Sequence, residues 1–255
     1  MIFHSNLDEE LRLELTQEMR RQYEEEASNH TPSGKVSAGI LGKPLLEQVL
    51  KIIGVPTKPS EDYALGLFRR GDSVEDTIIE LLKPDKTQAE AEYDDCVGFI
   101  DAIKNEKVYE VKSIKNSQVP YLDPSNTKRV RNEKRELVDQ YQGPKYAHAL
   151  QGAIYALSEN QDEFTIIYVA ADDLRTYPHV IKTEDVKPEV NRIITEVKNQ
   201  LAMGALPKWE PREDWQAKYP EYSLYPDWMT LDPGSAMKKL QTWHPEAYKK
   251  LTKGK

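Results

Sequence analysis

Asp101, Glu110 and Lys112 are the residues of this 255-residue chain whose types and spacing most readily do chemistry. Asp101 lies in VGFIDAI, residues 97–103, and the other two in KVYEVKSI, residues 107–114. Both segments are rich in β-branched and aromatic residues, and Asn105-Glu106 between them reads as a turn. A two-residue turn, or a four-residue loop over 104–107, sets Ile103 opposite Val108 and Asp101 opposite Glu110. Opposed side chains share a face, with Cβ atoms about 4.5–5.5 Å apart, and Lys112 joins that face two residues on. Facing carboxylates repel each other. A divalent cation offsets this, since magnesium is held by one or two carboxylates and keeps waters for substrate phosphates. A lysine beside it can orient or deprotonate an attacking water, or stabilise developing charge. The plain alternative is an edge hairpin with a wet face of alternating charge. Asn-Glu is not the preferred Asn-Gly pair, and a loop one residue longer breaks the register.

Two helical segments could add to this set. Over 60–82, Glu75 has Phe68, Gly71, Ile78, Ile79 and Leu82 three, four or seven residues away, so it falls on the apolar stripe. A buried carboxylate without a partner is costly; the alternative is a pairing with Arg69 or Arg70. Gln151 and Tyr155, four apart, share one helix face beside Leu150, Ile154 and Leu157. They could bond a phosphate or water, or be ordinary residues of an amphipathic helix.

The elements that would position these groups follow from periodicity and punctuation. Leu7, Leu11, Leu15 and Met19 predict a helix over 5–27, and Pro, Ser and Gly mark a loop over 28–42. A short helix lies between Pro44 and Gly54, stopped by Pro56. The helix over 60–82 precedes the hairpin. Residues 115–142 are polar and irregular, and Gly143-Pro144 opens a helix to about residue 158. Strands follow over 164–171 and 176–181, then a helix over 184–203 ended by Gly204 and a last one near 235–242. This order predicts a mixed α/β (α+β) fold with a small central sheet. The expected organisation is an N-terminal helical extension (1–59), a core (60–205) and a Pro- and aromatic-rich segment packed on it (206–255).

Composition narrows the function classes. The net charge of −8 excludes a general electrostatic clamp on polyanions. A single cysteine, Cys96, excludes an intramolecular disulfide framework and any four-cysteine zinc or iron–sulfur site within one chain. The longest nearly apolar run, 164–171, is too short to span a bilayer, and the N-terminus lacks a signal pattern. A soluble, cytoplasmic protein is expected. P-loop, His-Glu-x-x-His, Gly-x-Ser-x-Gly and Gly-x-Gly-x-x-Gly patterns are missing, and the five histidines are scattered.

Taken in order, four motifs resemble the PD-(D/E)xK nuclease superfamily, in its RecB-like and phage-type exonuclease branch. They are Glu75 in FRRGDSVEDTIIE, Gly98 to Asp101 in VGFID, Glu110 to Lys112 in YEVKS, and Gln151 to Tyr155 in QGAIY. The resemblance covers about residues 60 to 200. It implies a restriction-endonuclease-like core, a mixed sheet flanked by helices. It implies that Asp101, Glu110, the Val111 carbonyl and Glu75 bind Mg2+ or Mn2+, that Lys112 positions or activates water, and that Gln151 and Tyr155 contact DNA or steady the site. The implied reaction is phosphodiester hydrolysis at DNA ends, in recombination, repair or phage DNA processing. Many such enzymes carry an iron–sulfur cluster; here the corresponding segment, WEPREDWQAKYPEYSLYPDW, has no cysteine, so no cluster is expected.

The stretch from Lys112 to His148 carries eight positive residues (Lys112, Lys115, Lys128, Arg129, Arg131, Lys134, Arg135, Lys145) against four negative ones. A basic stretch beside an acidic metal site suits a DNA backbone, so Lys115, Lys128, Arg129 and Arg131 join the DNA-binding candidates. The expected partner is DNA with linear ends, single- or double-stranded, and no membrane. A homo-oligomer or a single-strand-annealing recombination partner is compatible with the resemblance. The competing readings are a non-catalytic DNA-end-binding recombination protein and a structure-specific endonuclease.

Overall fold

The computed structural model describes residues 9–28, 34–122, 128–131, 137–140 and 143–253; the side chains of 9, 26–28, 128–131 and 137–140 fall outside that description. In chain order come α1 (Glu9–Ser28), β1 (Val36–Ser37), α2 (Leu45–Ile53), α3 (Asp62–Leu82), β2 (Lys86–Tyr93), β3 (Cys96–Lys104) and β4 (Lys107–Ile114). The two-stranded β5 (Lys128–Arg131) and β6 (Leu137–Gln140) follow, then α4 (Tyr146–Ser158), β7 (Glu163–Ala170), β8 (Thr176–Lys182) and α5 (Thr183–Met203). The chain ends in α6 (Asp214–Lys218), α7 (Pro233–Trp243) and α8 (Pro245–Thr252).

β1, β3, β4, β7 and β8 lie in that order in a six-stranded mixed sheet, and β2 also pairs with β3. The fold is the mixed α/β, restriction-endonuclease-like arrangement of sheet and flanking helices. On one face, Leu150, Ile154, Ile193 and Val197 of α4 and α5 pack on Val108, Phe164, Ile166 and Tyr168. On the other, Val74 and Ile78 of α3 cover Val111, Ile167 and Val169. These buried apolar faces are the main favourable contribution to folding.

The β3–β4 turn sets the register that matters most. Asn105 and Glu106 both have positive φ (48° and 64°), the conformation of a tight type I′ hairpin turn. The rungs are Lys104↔Lys107, Ile103↔Val108 and Ala102↔Tyr109, the predicted register. A strand has only two edges. β2 occupies one edge of β3 between Lys86↔Ile103 and Tyr93↔Cys96, so β1 and β4 share the other at opposite ends. Between them the backbone of 98–101 has no strand neighbour on that edge.

Several elements depart from the sequence reading. β2 (KTQAEAEY) is mostly solvent-facing, with Ala91 buried; its Ala, Glu and Lys content hides a strand that burial pressure does not mark. Residues 36–55, expected in the N-terminal extension, give β1 to the central sheet and α2 to a second apolar cluster. There Leu46, Val49, Leu50 and Ile53 meet Leu206, Tyr225, Trp228, Leu240 and Leu251 of the C-terminal segment. Gly54 ends α2 with φ 88°, a left-handed cap that glycine adopts without strain. The segment expected to be irregular holds a short 3-10 helix (Asn116–Tyr121) and the β5–β6 pair. The second half of α1 docks on α3: Arg20 pairs with Asp62, and the Tyr23 and Phe68 rings stack with centroids 6.2 Å apart. Its first half leaves Leu11 and Leu15 exposed, so the four-residue leucine spacing is not spent on the core. Among the described residues no helix is long and apolar enough to cross a membrane.

Candidate active site

The site forms where β3 and β4 part. The next rung after Ala102↔Tyr109 would oppose Asp101 and Glu110, but the ladder stops there. The β2–β3 ladder also skips Asp101, opposite Gln88 with its φ of 50°. Alternate N–H groups along a strand point to the same neighbour. On β4 those of Val111 and Ser113 point to where β3 would have continued, and carboxylates take both. Asp101 Oδ2 accepts from Val111 N at 2.8 Å, and Glu75 Oε1 accepts from Ser113 N at 3.3 Å. Side-chain oxygens thus replace the missing backbone of β3, which fixes Asp101 and Glu75 on either side of the opening.

Glu110 projects from β4 into the interior and is wholly buried. Its Oε1 lies 2.6 Å from Lys112 Nζ, whose distance to Asp101 Oδ2 is 3.9 Å. Lys112 is the partner of Oε1, and Oε2 has no donor among the described residues. Burial pushes the Glu110 carboxyl up to about 8, opposed by Lys112 and reinforced by Asp101 and Glu75. Glu75 is also raised, by burial first, with Lys112 and the Ser113 N–H opposing. Burial works against the Lys112 ammonium, but Glu110, Asp101 and Glu75 together outweigh it and hold it above its ordinary value. Three carboxylates around one ammonium carry excess negative charge when all are ionised, and Glu110 relieves it by taking up a proton.

α4 forms the wall of the site. Tyr155 is 3% exposed, and its OH accepts from Gln151 Nε2 at 2.9 Å. Its ring lies against Gly98: a Cβ there would stand 2.7 Å from Tyr155 Cε1 and 2.9 Å from the hydroxyl oxygen. Only glycine leaves that room. Tyr155 therefore steadies β3 at the opening rather than presenting its ring to solvent. Gly71 likewise brings α3 close to β4, with Ser113 Oγ 3.1 Å from where its Cβ would be.

The structure brings Glu75, Asp101, Glu110 and Lys112 together, with Gln151 and Tyr155 adjacent. The alternative pairing of Glu75 does not occur: Arg69 donates to Gln22 and Arg70 meets Asp172. Lys115 is exposed at the end of β4. Lys128, Arg129 and Arg131 lie on β5, with side chains outside the described residues. The sequence reading missed His148. Its Nδ1 is 3.2 Å from the Tyr168 hydroxyl, which also accepts from Lys145 N at 2.9 Å. Burial, Lys145 and Lys112 push the imidazole down to about 3, so it is neutral. The signal was present, since 148, 151 and 155 recur at helical spacing on one stripe.

Among the described residues, no three His, Cys, Asp or Glu side chains converge closely enough to hold a metal as they stand. The donor chemistry nevertheless fits a hard divalent cation. Glu110 offers a buried oxygen, Oε2, with no donor among the described residues, and oxygen donors are what magnesium and manganese take.

No protein-family model matches the chain, and no curated protein matches it in sequence. Solved structures do match. The crystal structure of SSO0001 shares 17% sequence identity over 83% of this chain and 94% of its own, with a TM-score of 0.51. That likeness is one of fold. LHK-Exo, solved in complex with dAMP, shares 13% identity over 65% of this chain and 89% of its own, at a TM-score of 0.42 that supports no functional argument.

Proposed function

We propose that the chain is a metal-dependent deoxyribonuclease acting at DNA ends, an exonuclease. The observation that carries this reading is Glu110: a wholly buried carboxyl whose Oε1 meets the Lys112 ammonium that Asp101 also approaches, and whose Oε2 has no donor among the described residues, where β3 and β4 part. Asp101, Glu110 and the Val111 carbonyl would hold Mg2+ or Mn2+, with Glu75 beside them. A cation there supplies charge neutralisation at the scissile phosphate and a water of lowered pKa.

The chain's own groups have separate tasks. Lys112, held charged, donates hydrogen bonds: it orients the attacking water or a phosphoryl oxygen rather than accepting a proton. Asp101, tied to Val111 N, and Glu75, tied to Ser113 N, keep one oxygen each fixed. Gln151 and Tyr155 hold β3 at its separation from α4. Lys115, and Lys128, Arg129 and Arg131 on β5, are assigned to the DNA backbone. The test is cleavage of end-labelled linear and circular DNA with Mg2+, Mn2+ or EDTA. Metal-dependent loss of linear DNA with circles left intact is expected. Equal attack on circles makes it an endonuclease, and cleavage in EDTA or unchanged cleavage by Lys112→Ala sinks the assignment.

A further inference from the structure

We propose that the C-terminal segment carries a stacking platform for single-stranded DNA, formed by Trp215, Tyr219 and Tyr222 with Lys43 and Lys218. It rests on the reading of the chain as a DNA-processing enzyme and gives that enzyme a second contact with its substrate, away from the acidic site.

Three aromatic rings within eight residues are left in solvent: Trp215 is 39% exposed, Tyr219 41% and Tyr222 64%. The segment is able to bury aromatics, since Tyr225 and Trp228 just beyond lie in the second apolar cluster. Cations sit over two of the three rings, and the third, Tyr222, meets Tyr219 edge to face at 6.3 Å between centroids. Lys43 Nζ is 6.0 Å from the Trp215 ring centre and Lys218 Nζ is 5.3 Å from that of Tyr219. Neither ammonium has a carboxylate partner among the described residues; Lys43 Nζ reaches only the Tyr222 carbonyl, at 3.5 Å. The nearest buried acid is turned inward, with Glu47 accepting from Trp209, Ser223 and Leu224. Glu213 is spent capping α6, and Asp214 and Glu221 stand at the exposed rim. Rings that face solvent under unpaired ammoniums match alternating bases and phosphates, because every base has a π-face and every linkage a charge.

The platform is tied to the helix that walls the active site. Gln216 Nε2 donates to the Gly42 carbonyl at 2.8 Å, and Arg212 Nε donates to the Lys43 carbonyl at 2.8 Å. These bonds fix α6 to residues 42 and 43. Gly42 in turn abuts α4, with Ala147 Cβ 2.6 Å from where a Gly42 Cβ would stand. His148 and Gln151 follow on that same helix, so α4 joins the residues that carry the platform to the wall of the acidic site. Preorganised rings lose little freedom on binding.

The test is binding of a labelled oligo(dT) of about 20 nucleotides in EDTA, where the acidic site contributes least. Trp215→Ala should weaken binding about 5-fold or more, and the combined Trp215→Ala, Tyr219→Ala and Tyr222→Ala variant on the order of 100-fold, at about 1–3 kcal/mol per stacked base. Oligo(dT) should quench tryptophan fluorescence in the wild type and much less in Trp215→Phe, a readout that stands even if the triple variant fails to fold. Unchanged affinity in Tyr222→Ala and Trp215→Ala, or quenching retained in Trp215→Phe, overturns the platform. Cleavage by the wild type in that event leaves the nuclease reading in place. Oligo(dT) binding through these rings in a protein that cleaves no DNA keeps the platform and refutes the nuclease.

Discussion

Among the described residues two glutamates are buried almost completely, Glu47 on α2 and Glu110 on β4, and their surroundings are opposite. Glu47 has a full set of donors: Trp209 Nε1 at 3.1 Å, Ser223 Oγ at 2.8 Å and Leu224 N at 3.1 Å. Glu110 has the Lys112 ammonium at one oxygen and no donor among the described residues at the other. A buried carboxylate that is fully bonded is a structural tie, here joining α2 to a segment more than 160 residues away. One with a single ammonium partner and other carboxylates close by costs free energy to keep. Burial therefore does not distinguish tie from site; the donors do.

The largest expected effect separates the two residues by activity. Glu110→Gln and Asp101→Asn should each lower the rate of metal-dependent DNA cleavage on the order of 10³-fold. Single-turnover digestion of end-labelled DNA measures this. Glu47→Gln, which keeps an acceptor for Trp209 and Ser223 but not for Leu224 N, should lose stability yet cleave at close to the wild-type rate. A catalytic defect in Glu47→Gln matching that of Glu110→Gln would erase the distinction.

Stability should sort them the other way. Glu47→Ala leaves three part-buried donors without an acceptor and should cost roughly 2 kcal/mol. Urea unfolding followed by tryptophan fluorescence reads this, because Trp209 and Trp228 lie on that cluster. A loss below about 1 kcal/mol would mean that water reaches the donors once the side chain is gone.

This contrast was half legible in the sequence. Asp101, Glu110 and Lys112 could be placed because a hairpin is local: the turn fixes the register and the register fixes the face. Glu75 could be placed because it interrupts an apolar helical stripe. Neither argument reaches Glu47. In LLEQVLKII it reads as the polar side of an amphipathic helix, and its donors come from residues 209, 223 and 224, which no local pattern links to it. Position 98 was visible as part of a Gly-x-x-Asp motif. That it is glycine because Tyr155 fills the space, 57 positions along, required the fold. β2 stayed hidden because its residues are those of an exposed helix.

That packing supplies the next prediction. Gly98→Ala puts a methyl 2.7 Å from Tyr155 Cε1, and overpacking of this kind costs about 1–3 kcal/mol. The same variant on a Tyr155→Ala background should recover most of the loss, as measured by a double-mutant cycle in urea. An additive cycle would show that Tyr155 moves aside freely and does not hold β3 at the opening.

The smallest expected effect tests Glu110 most directly. In the native state without metal, Glu110 keeps its proton up to about pH 8, against an ordinary value of 4.5. Between those values the native state binds more protons than the unfolded chain, so stability falls as pH rises through that window. Glu75 shifts in the same direction and adds to the slope. Gln at position 110 cannot ionise. In EDTA, Glu110→Gln should therefore be more stable than wild type near pH 8, on the order of 1 kcal/mol, and match it more closely near pH 5. Added Mn2+ should reverse the order, because a ligand that binds only the native wild-type site raises its melting temperature. Melting curves at the two pH values, with EDTA and with Mn2+, give all the comparisons at once. If Glu110→Gln is less stable than wild type in EDTA at pH 8, then Glu110 is a second structural tie like Glu47, and its one oxygen without a donor does not mark a metal site.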